Sequence, residues 1–176
     1  MRTRLPNFQS VIQVYAVIAV MFAGWTITAF LWKLSAWLLL LNLSEIFTIF
    51  SYAMVVNFIE SLIILIILLA ACVLLPAYLL RDDFVVRGTI LSLGLIGSLM
   101  AFVGAEMHFG FENGLRLLIA PLVVLFLMGF LLYRSSTYSR VRFVAMWFAD
   151  RLLVFLFILV PLFVILSLYV IFRNVL

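Results

Sequence analysis

Charge is scarce in this chain. Of its 176 residues, 11 are Lys or Arg, 7 are Asp or Glu and 1 is His. Charged side chains make up 10% of the sequence and hydrophobic ones 69%, whereas soluble domains are about 25% charged and about 45–50% apolar. This composition excludes a water-soluble globular domain. The low content of Gly and Pro, 8 and 4 residues, also excludes a collagen-like or low-complexity chain.

Cysteine and histidine are equally rare. A single cysteine, Cys72, excludes a disulfide within the chain and a Cys-rich metal or iron–sulfur site. The sequence has no GxSxG motif, no HExxH motif and no glycine-rich phosphate loop. We therefore predict no catalytic residue, no metal site and no cofactor, and a protein that is not an enzyme.

Long apolar runs dominate what remains. A bilayer core about 30 Å thick needs about 20 apolar residues in a helix. Five runs meet this requirement, and they cover residues 8–32, 61–80, 88–105, 117–133 and 152–172. Solid runs favour helices over the alternating segments of about ten residues that membrane β-strands show. The sequence predicts an all-α, polytopic membrane helix bundle that forms a single domain over residues 1–176.

The stretch 34–58 is harder to assign, because it is apolar but carries polar residues at intervals. Trp32 and Trp37 flank Lys33 in the way that an interfacial aromatic belt does. We predict an amphipathic helix at the membrane surface or a re-entrant segment. The alternative is a sixth span over residues 36–58.

The basic residues help to choose between five and six spans. With five spans and a cytoplasmic N-terminus, the cytoplasmic side carries eight basic residues: Arg2, Arg4, Arg81, Arg87, Arg134, Arg140, Arg142 and Arg151. The outer side then carries three, which are Lys33, Arg116 and Arg173. Six spans would move Arg2 and Arg4 outside. Since cytoplasmic loops are enriched in Lys and Arg, we predict five spans, an outward C-terminus and a place in the plasma membrane of a prokaryotic cell.

Small residues recur in the third predicted span. Gly94 and Ser98 form one small-xxx-small step, and Gly97, Ala101 and Ala105 form two more. Such steps let helices approach closely in lipid. The pattern predicts that the third span lies centrally in the bundle.

Ionisable and amide side chains gather on the predicted outer side. Asn57 and Glu60 precede the second span, Glu106 and His108 end the third, and Glu112 precedes the fourth. Glu60 is placed at the outer boundary of its span. We treat these five residues as a tentative ligand or ion site at the outer mouth of the bundle.

Three functions fit these observations. The first is a small non-catalytic integral membrane protein that acts as a subunit, anchor or assembly factor, with the lipid bilayer and protein subunits or further copies of itself as partners. The second is a small oligomeric transporter or channel with an acidic outer mouth. The third is the membrane part of a separately encoded surface enzyme. The sequence pI is near 9.6. We attribute the basic residues to the orientation of the spans in the membrane, and we predict no nucleic-acid partner.

Overall fold

Helices account for nearly all of the chain that the structure describes. The computed structural model describes residues 6–75, 80, 83–109, 114–135 and 139–175. Within them the chain forms five long helices and no strand. They are α1 (Phe8–Leu40), α2 (Leu43–Leu74), α3 (Phe84–Phe109), α4 (Gly114–Ser135) and α5 (Ser139–Val175). The predicted all-α bundle is confirmed.

Most of these helices are suited to crossing a membrane. Four have the length and composition for it, and they cover 8–40, 43–74, 84–106 and 139–175 of the described residues. In α4 the apolar part is shorter, Pro121–Tyr133. In lipid a helix satisfies its own backbone polar groups, which is why such apolar runs fold as unbroken helices. The bundle is therefore that of a multi-pass membrane protein.

The stretch 34–58 is not a separate element, which corrects the prediction of an interfacial helix or re-entrant segment. Residues 34–40 are the last turns of α1, and residues 43–58 begin α2. Between them Leu41 and Asn42 have extended backbone. The Glu45 carboxylate accepts a hydrogen bond from the Asn42 backbone N–H at 2.9 Å, as in the capping boxes that start helices. The sixth span is likewise absent, since one turn in this stretch reverses the chain between two long helices.

This turn makes α1 and α2 an antiparallel hairpin and defines two ends of the bundle. We call the end with Leu41 and Asn42 the hairpin end, and the opposite end, where α1, α3 and α5 begin, the N-terminal end. Helix α5 runs alongside α1. Gln13 donates a hydrogen bond to Asp150 at the N-terminal end, while the hydroxyls of Thr48 and Tyr169 lie 3.2 Å apart at the hairpin end.

Helix α1 is the most enclosed element. It packs against α2, α3 and α5. Five of its side chains have no exposed surface: Val14, Ala16, Val17, Ile18 and Ala19. Helix α3 packs against α1, α4 and α5, so the two helices share the centre of the bundle. Helix α4 packs mainly on α3, and most of its large apolar side chains are exposed.

The closest approach of α3 and α4 lies at a glycine. A Cβ atom added at Gly94 would lie 2.8 Å from Cβ of Met128, whereas one added at Gly97 would lie 3.5 Å from Cγ1 of Val124. The first distance is too short for two carbon atoms, and the second is ordinary contact. The small residues of α3 thus allow close packing, with Gly94 as the tightest point.

Gly94→Ala should therefore lower the stability of the bundle by about 1–3 kcal/mol, the usual cost of overpacking. Gly104→Ala is the matched control, because a Cβ there meets nothing within 4 Å and both changes alter helix propensity alike. The measurement is the midpoint of unfolding in mixed detergent micelles. Equal midpoints for the two variants would show that α3 and α4 do not pack this closely.

Candidate functional site

Charged side chains mark the thickness of the apolar part of the bundle. Along α3, Arg87 and Glu106 are 19 residues apart, and along α5, Arg151 and Arg173 are 22 residues apart. At ~1.5 Å per residue these separations are about 28 and 33 Å. Both match a hydrocarbon core of about 30 Å. We call the region between these charges the apolar layer.

Glu60 lies near the middle of this layer. Along α2 it is 15 residues from Glu45 and 14 residues from Leu74, the last residue of the helix. These separations are about 22 and 21 Å at ~1.5 Å per residue. The sequence-based placement of Glu60 at the outer boundary assumed a span over residues 61–80. Because α2 runs from Leu43 to Leu74 instead, the carboxyl group lies inside the apolar layer.

A small cavity of 140 Å³ between α1, α2 and α3 contains this carboxyl group in its wall. We call it the Glu60 groove. Its lining residues are Phe22, Trp25, Asn57, Glu60, Ile96, Leu99, Met100 and Val103. The Glu60 side chain is exposed at the surface of the bundle, so the groove presents one carboxyl group on a surface that is otherwise apolar except for Asn57.

Asn57 fastens α2 to α1 beneath this groove. Its side chain is 6% exposed. The amide nitrogen Nδ2 donates to the Phe22 carbonyl oxygen at 3.3 Å and to Oγ1 of Thr26. An amide buried in an apolar layer requires such partners, since an unsatisfied polar group costs several kcal/mol there. Asn57 therefore acts as a structural tie that positions Glu60 one turn away.

Ser61 makes a second tie between the same helices. It is fully buried, and its Oγ donates to the Phe58 carbonyl oxygen at 2.8 Å. Because that bond uses the Ser61 proton, the Tyr15 hydroxyl is the donor in the 3.3 Å contact between Tyr15 and Ser61. Asn57 and Ser61 therefore face α1, whereas Glu60 is exposed at the surface of the bundle.

The other predicted site residues do not join this pair. Glu106 lies one turn beyond Val103 on α3 and does not line the Glu60 groove. His108 is part of α3, but its side chain lies outside the described residues, as does all of Glu112. Among the described residues no group of three His, Cys, Asp or Glu side chains could hold a metal ion. Of the candidate site residues that the structure describes, only Asn57 and Glu60 therefore lie together, in the Glu60 groove.

A polar cluster at the hairpin end was missed at the level of sequence. The Arg173 guanidinium donates to Oγ1 of Thr48 and, at 3.0 Å, to the Tyr169 hydroxyl. The Tyr52 hydroxyl donates to the Asn174 side chain at 2.8 Å. The cluster fastens the C-terminal end of α5 to the start of α2. The sequence feature that could have indicated this cluster is the spacing of Tyr169 and Arg173, which are one helical turn apart.

The fold and these polar ties define an integral membrane helix bundle with an intramembrane carboxyl group. No protein-family model, curated protein or solved structure matches the chain. The function is therefore argued from the site itself.

The tie between Asn57 and Thr26 can be measured with a double-mutant cycle. We expect Asn57→Ala and Thr26→Ala to show a coupling energy of about 0.5–2 kcal/mol, the range for hydrogen bonds between membrane helices. The measurement is unfolding in mixed detergent micelles. Thr28 is the control, because its hydroxyl bonds the Gly24 carbonyl of its own helix. Coupling with Thr28→Ala as large as with Thr26→Ala would contradict the assignment.

Proposed function

We propose that the chain is a small non-catalytic subunit, anchor or assembly factor of a membrane complex, and that a transmembrane helix of its partner covers the Glu60 groove. The observation that carries this proposal is the exposure of the Glu60 carboxyl group near the middle of the apolar layer. The partner helix carries a Lys, an Arg or another hydrogen-bond donor at the depth of Glu60.

The argument rests on the cost of a carboxyl group in lipid. A charged residue at the bilayer centre costs about 2.5–3.5 kcal/mol on insertion scales, and such residues in membrane proteins usually pair with one another or face the interior. Among the described residues Glu60 has no ion pair; the pair found there joins Arg142 and Asp83. A cationic or donor side chain from a second protein supplies the missing interaction.

The tip of the hairpin supports a protein partner as well. Leu39, Leu40 and Leu43 are 85%, 82% and 75% exposed. Leu40 is seven residues beyond Lys33, which is about 10 Å further along the helix at ~1.5 Å per residue. Exposed apolar surface that extends past the membrane boundary is typical of a contact surface for another protein.

The charge distribution supports a cytoplasmic N-terminal end in the plasma membrane of a prokaryotic cell. The described arginines Arg87, Arg140, Arg142 and Arg151 lie at or near the N-terminal end of the bundle. Positive residues concentrate on the cytoplasmic side of membrane proteins. In this orientation the hairpin end and the end of α5 lie outside.

Orientation can be tested with a matched pair of variants, each made after Cys72→Ala. Ser44→Cys lies at the hairpin end and Ser139→Cys at the N-terminal end, and both serines are exposed. We expect an impermeant thiol reagent to label Ser44→Cys in intact cells and to label Ser139→Cys only after the cells are opened. The reverse pattern would invert the orientation.

The transporter alternative also starts from Glu60, but it requires a polar route through the membrane. Residues 62–74, which continue α2 to its end, contain no Asp, Glu, His, Lys or Arg. A polar route would therefore have to be completed by further copies of the chain. The surface-enzyme alternative is a special case of our proposal in which the partner is the enzyme.

Substitution of Glu60 separates a partner contact from a lipid-facing position. Glu60→Leu should release a stoichiometric partner that co-purifies with the protein in mild detergent, because the partner's cationic or donor group loses its counterpart. Glu60→Gln should retain part of the partner, since an amide still forms hydrogen bonds. Glu106→Gln, which lies outside the groove, is the control and should retain all of it.

Two outcomes would overturn this proposal. If Glu60 faces only lipid, Glu60→Leu will raise the thermal stability of the purified protein and leave the co-purifying partner unchanged. If the protein purifies as a homo-oligomer alone and conducts cations in liposomes, with conduction lost in Glu60→Gln, the transporter function replaces the subunit function.

A further inference from the structure

A second cavity, of 390 Å³, lies at the N-terminal end between α3, α4 and α5. Its apolar walls include Ile90 and Leu93 of α3, Met128 of α4 and Phe148 of α5. Arg140, the second residue of α5, completes the lining on the side nearest the end of the bundle. We call it the Arg140 cavity. It has no part in the proposed partner contact, which lies on α1, α2 and α3.

The Arg140 cavity crosses the edge of the apolar layer. Leu93 is six residues past Arg87 on α3, which places it about 9 Å inside the layer at ~1.5 Å per residue. On the other side of Arg87, Asp83 directly precedes α3 and forms an ion pair with Arg142 at 2.7 Å. Arg140 precedes Arg142 by two residues on α5, so it lies beyond the apolar layer. Arg140 is therefore on the headgroup side of the layer, and a long arginine side chain can reach back toward the lipid phosphate groups.

Arg140 is the cationic residue at this cavity that can bind an anionic ligand. The neighbouring Arg142 is paired with Asp83, and Arg151, further along α5, lies over the Trp147 ring at 5.7 Å. Arg140 has no ion pair with any residue that the structure describes. The surface that lines the cavity is apolar, so Arg140 contributes its aliphatic stem to the wall, and this exposed residue carries its charge at the edge of the cavity. A guanidinium forms strong, charge-assisted hydrogen bonds with phosphate oxygens, so an anion-binding group lies next to an apolar chamber.

We propose that the Arg140 cavity binds an anionic phospholipid from the surrounding leaflet. One acyl chain lies between α3 and α5 against Leu93 and Met128, and the phosphate group contacts Arg140. An anionic lipid fits better than a free anion, because a free anion would leave the apolar walls uncovered. It fits better than a zwitterionic lipid, because only a net negative headgroup matches the charge of Arg140 without a competing cation.

The test uses native mass spectrometry of the purified full-length protein in mild detergent. Phosphatidylglycerol and phosphatidylcholine with identical acyl chains are titrated separately. We expect wild-type protein to bind phosphatidylglycerol the more tightly of the two. Arg140→Gln should weaken phosphatidylglycerol binding about tenfold, as expected for the loss of a charge-assisted hydrogen bond, and leave phosphatidylcholine binding unchanged.

Arg151→Gln is the matched control, since Arg151 lies on the same helix but does not line the Arg140 cavity; its affinity for phosphatidylglycerol should equal that of the wild type. Inorganic phosphate at the same concentration should not displace the lipid. Equal binding of the two lipids by the wild type, an unchanged affinity in Arg140→Gln, or displacement by phosphate alone would each overturn the proposal.

Discussion

The architecture depends on the close packing of three helices around α1. In lipid there is little hydrophobic force between helices, so their association depends on close packing and on interhelical hydrogen bonds. In the stretch Val14–Ala19 every side chain except that of Tyr15 is completely buried, with α2, α3 and α5 packed around α1. The hydrogen bond from Gln13 to Asp150 and the two hydrogen bonds from Asn57 then hold α5 and α2 in register against this central helix.

The polar residues of α2 in this region have two different roles. Asn57 and Ser61 stabilise the fold, whereas Glu60 is exposed at the surface of the bundle. Asn57 and Ser61 face α1 and use their hydrogen bonds inside the bundle. Glu60 lies between them in sequence. At about 100° per residue it is about 60° around α2 from Asn57 and about 100° from Ser61, and its side chain is exposed at the surface of the bundle. The ties are therefore buried, and the carboxyl group is left at the surface near the middle of the apolar layer.

The two ends of the bundle differ in chemistry. At the hairpin end the polar cluster of Arg173, Thr48 and Tyr169 joins α2 and α5. The exposed leucines at the tip of the hairpin, Leu39, Leu40 and Leu43, lie beyond it. At the N-terminal end α3, α4 and α5 enclose the Arg140 cavity. The proposed protein contact through Glu60 and the tip of the hairpin and the proposed lipid contact through Arg140 would use different faces of the molecule, so the two could coexist.

The sequence by itself determined the membrane class and the helical fold, because long apolar runs in lipid have to satisfy their backbone within a helix. Small residues such as Gly94 also indicated where helices approach closely. Hydropathy could not predict the turn at Leu41 and Asn42 between two helices longer than a bilayer needs, since the flanking residues are equally apolar. Tertiary structure decided the depth and direction of Glu60, because both follow from where α2 begins and which of its faces α1 covers. The Arg140 cavity likewise could not be predicted from the sequence, because its walls come from three helices and form only when these helices pack together.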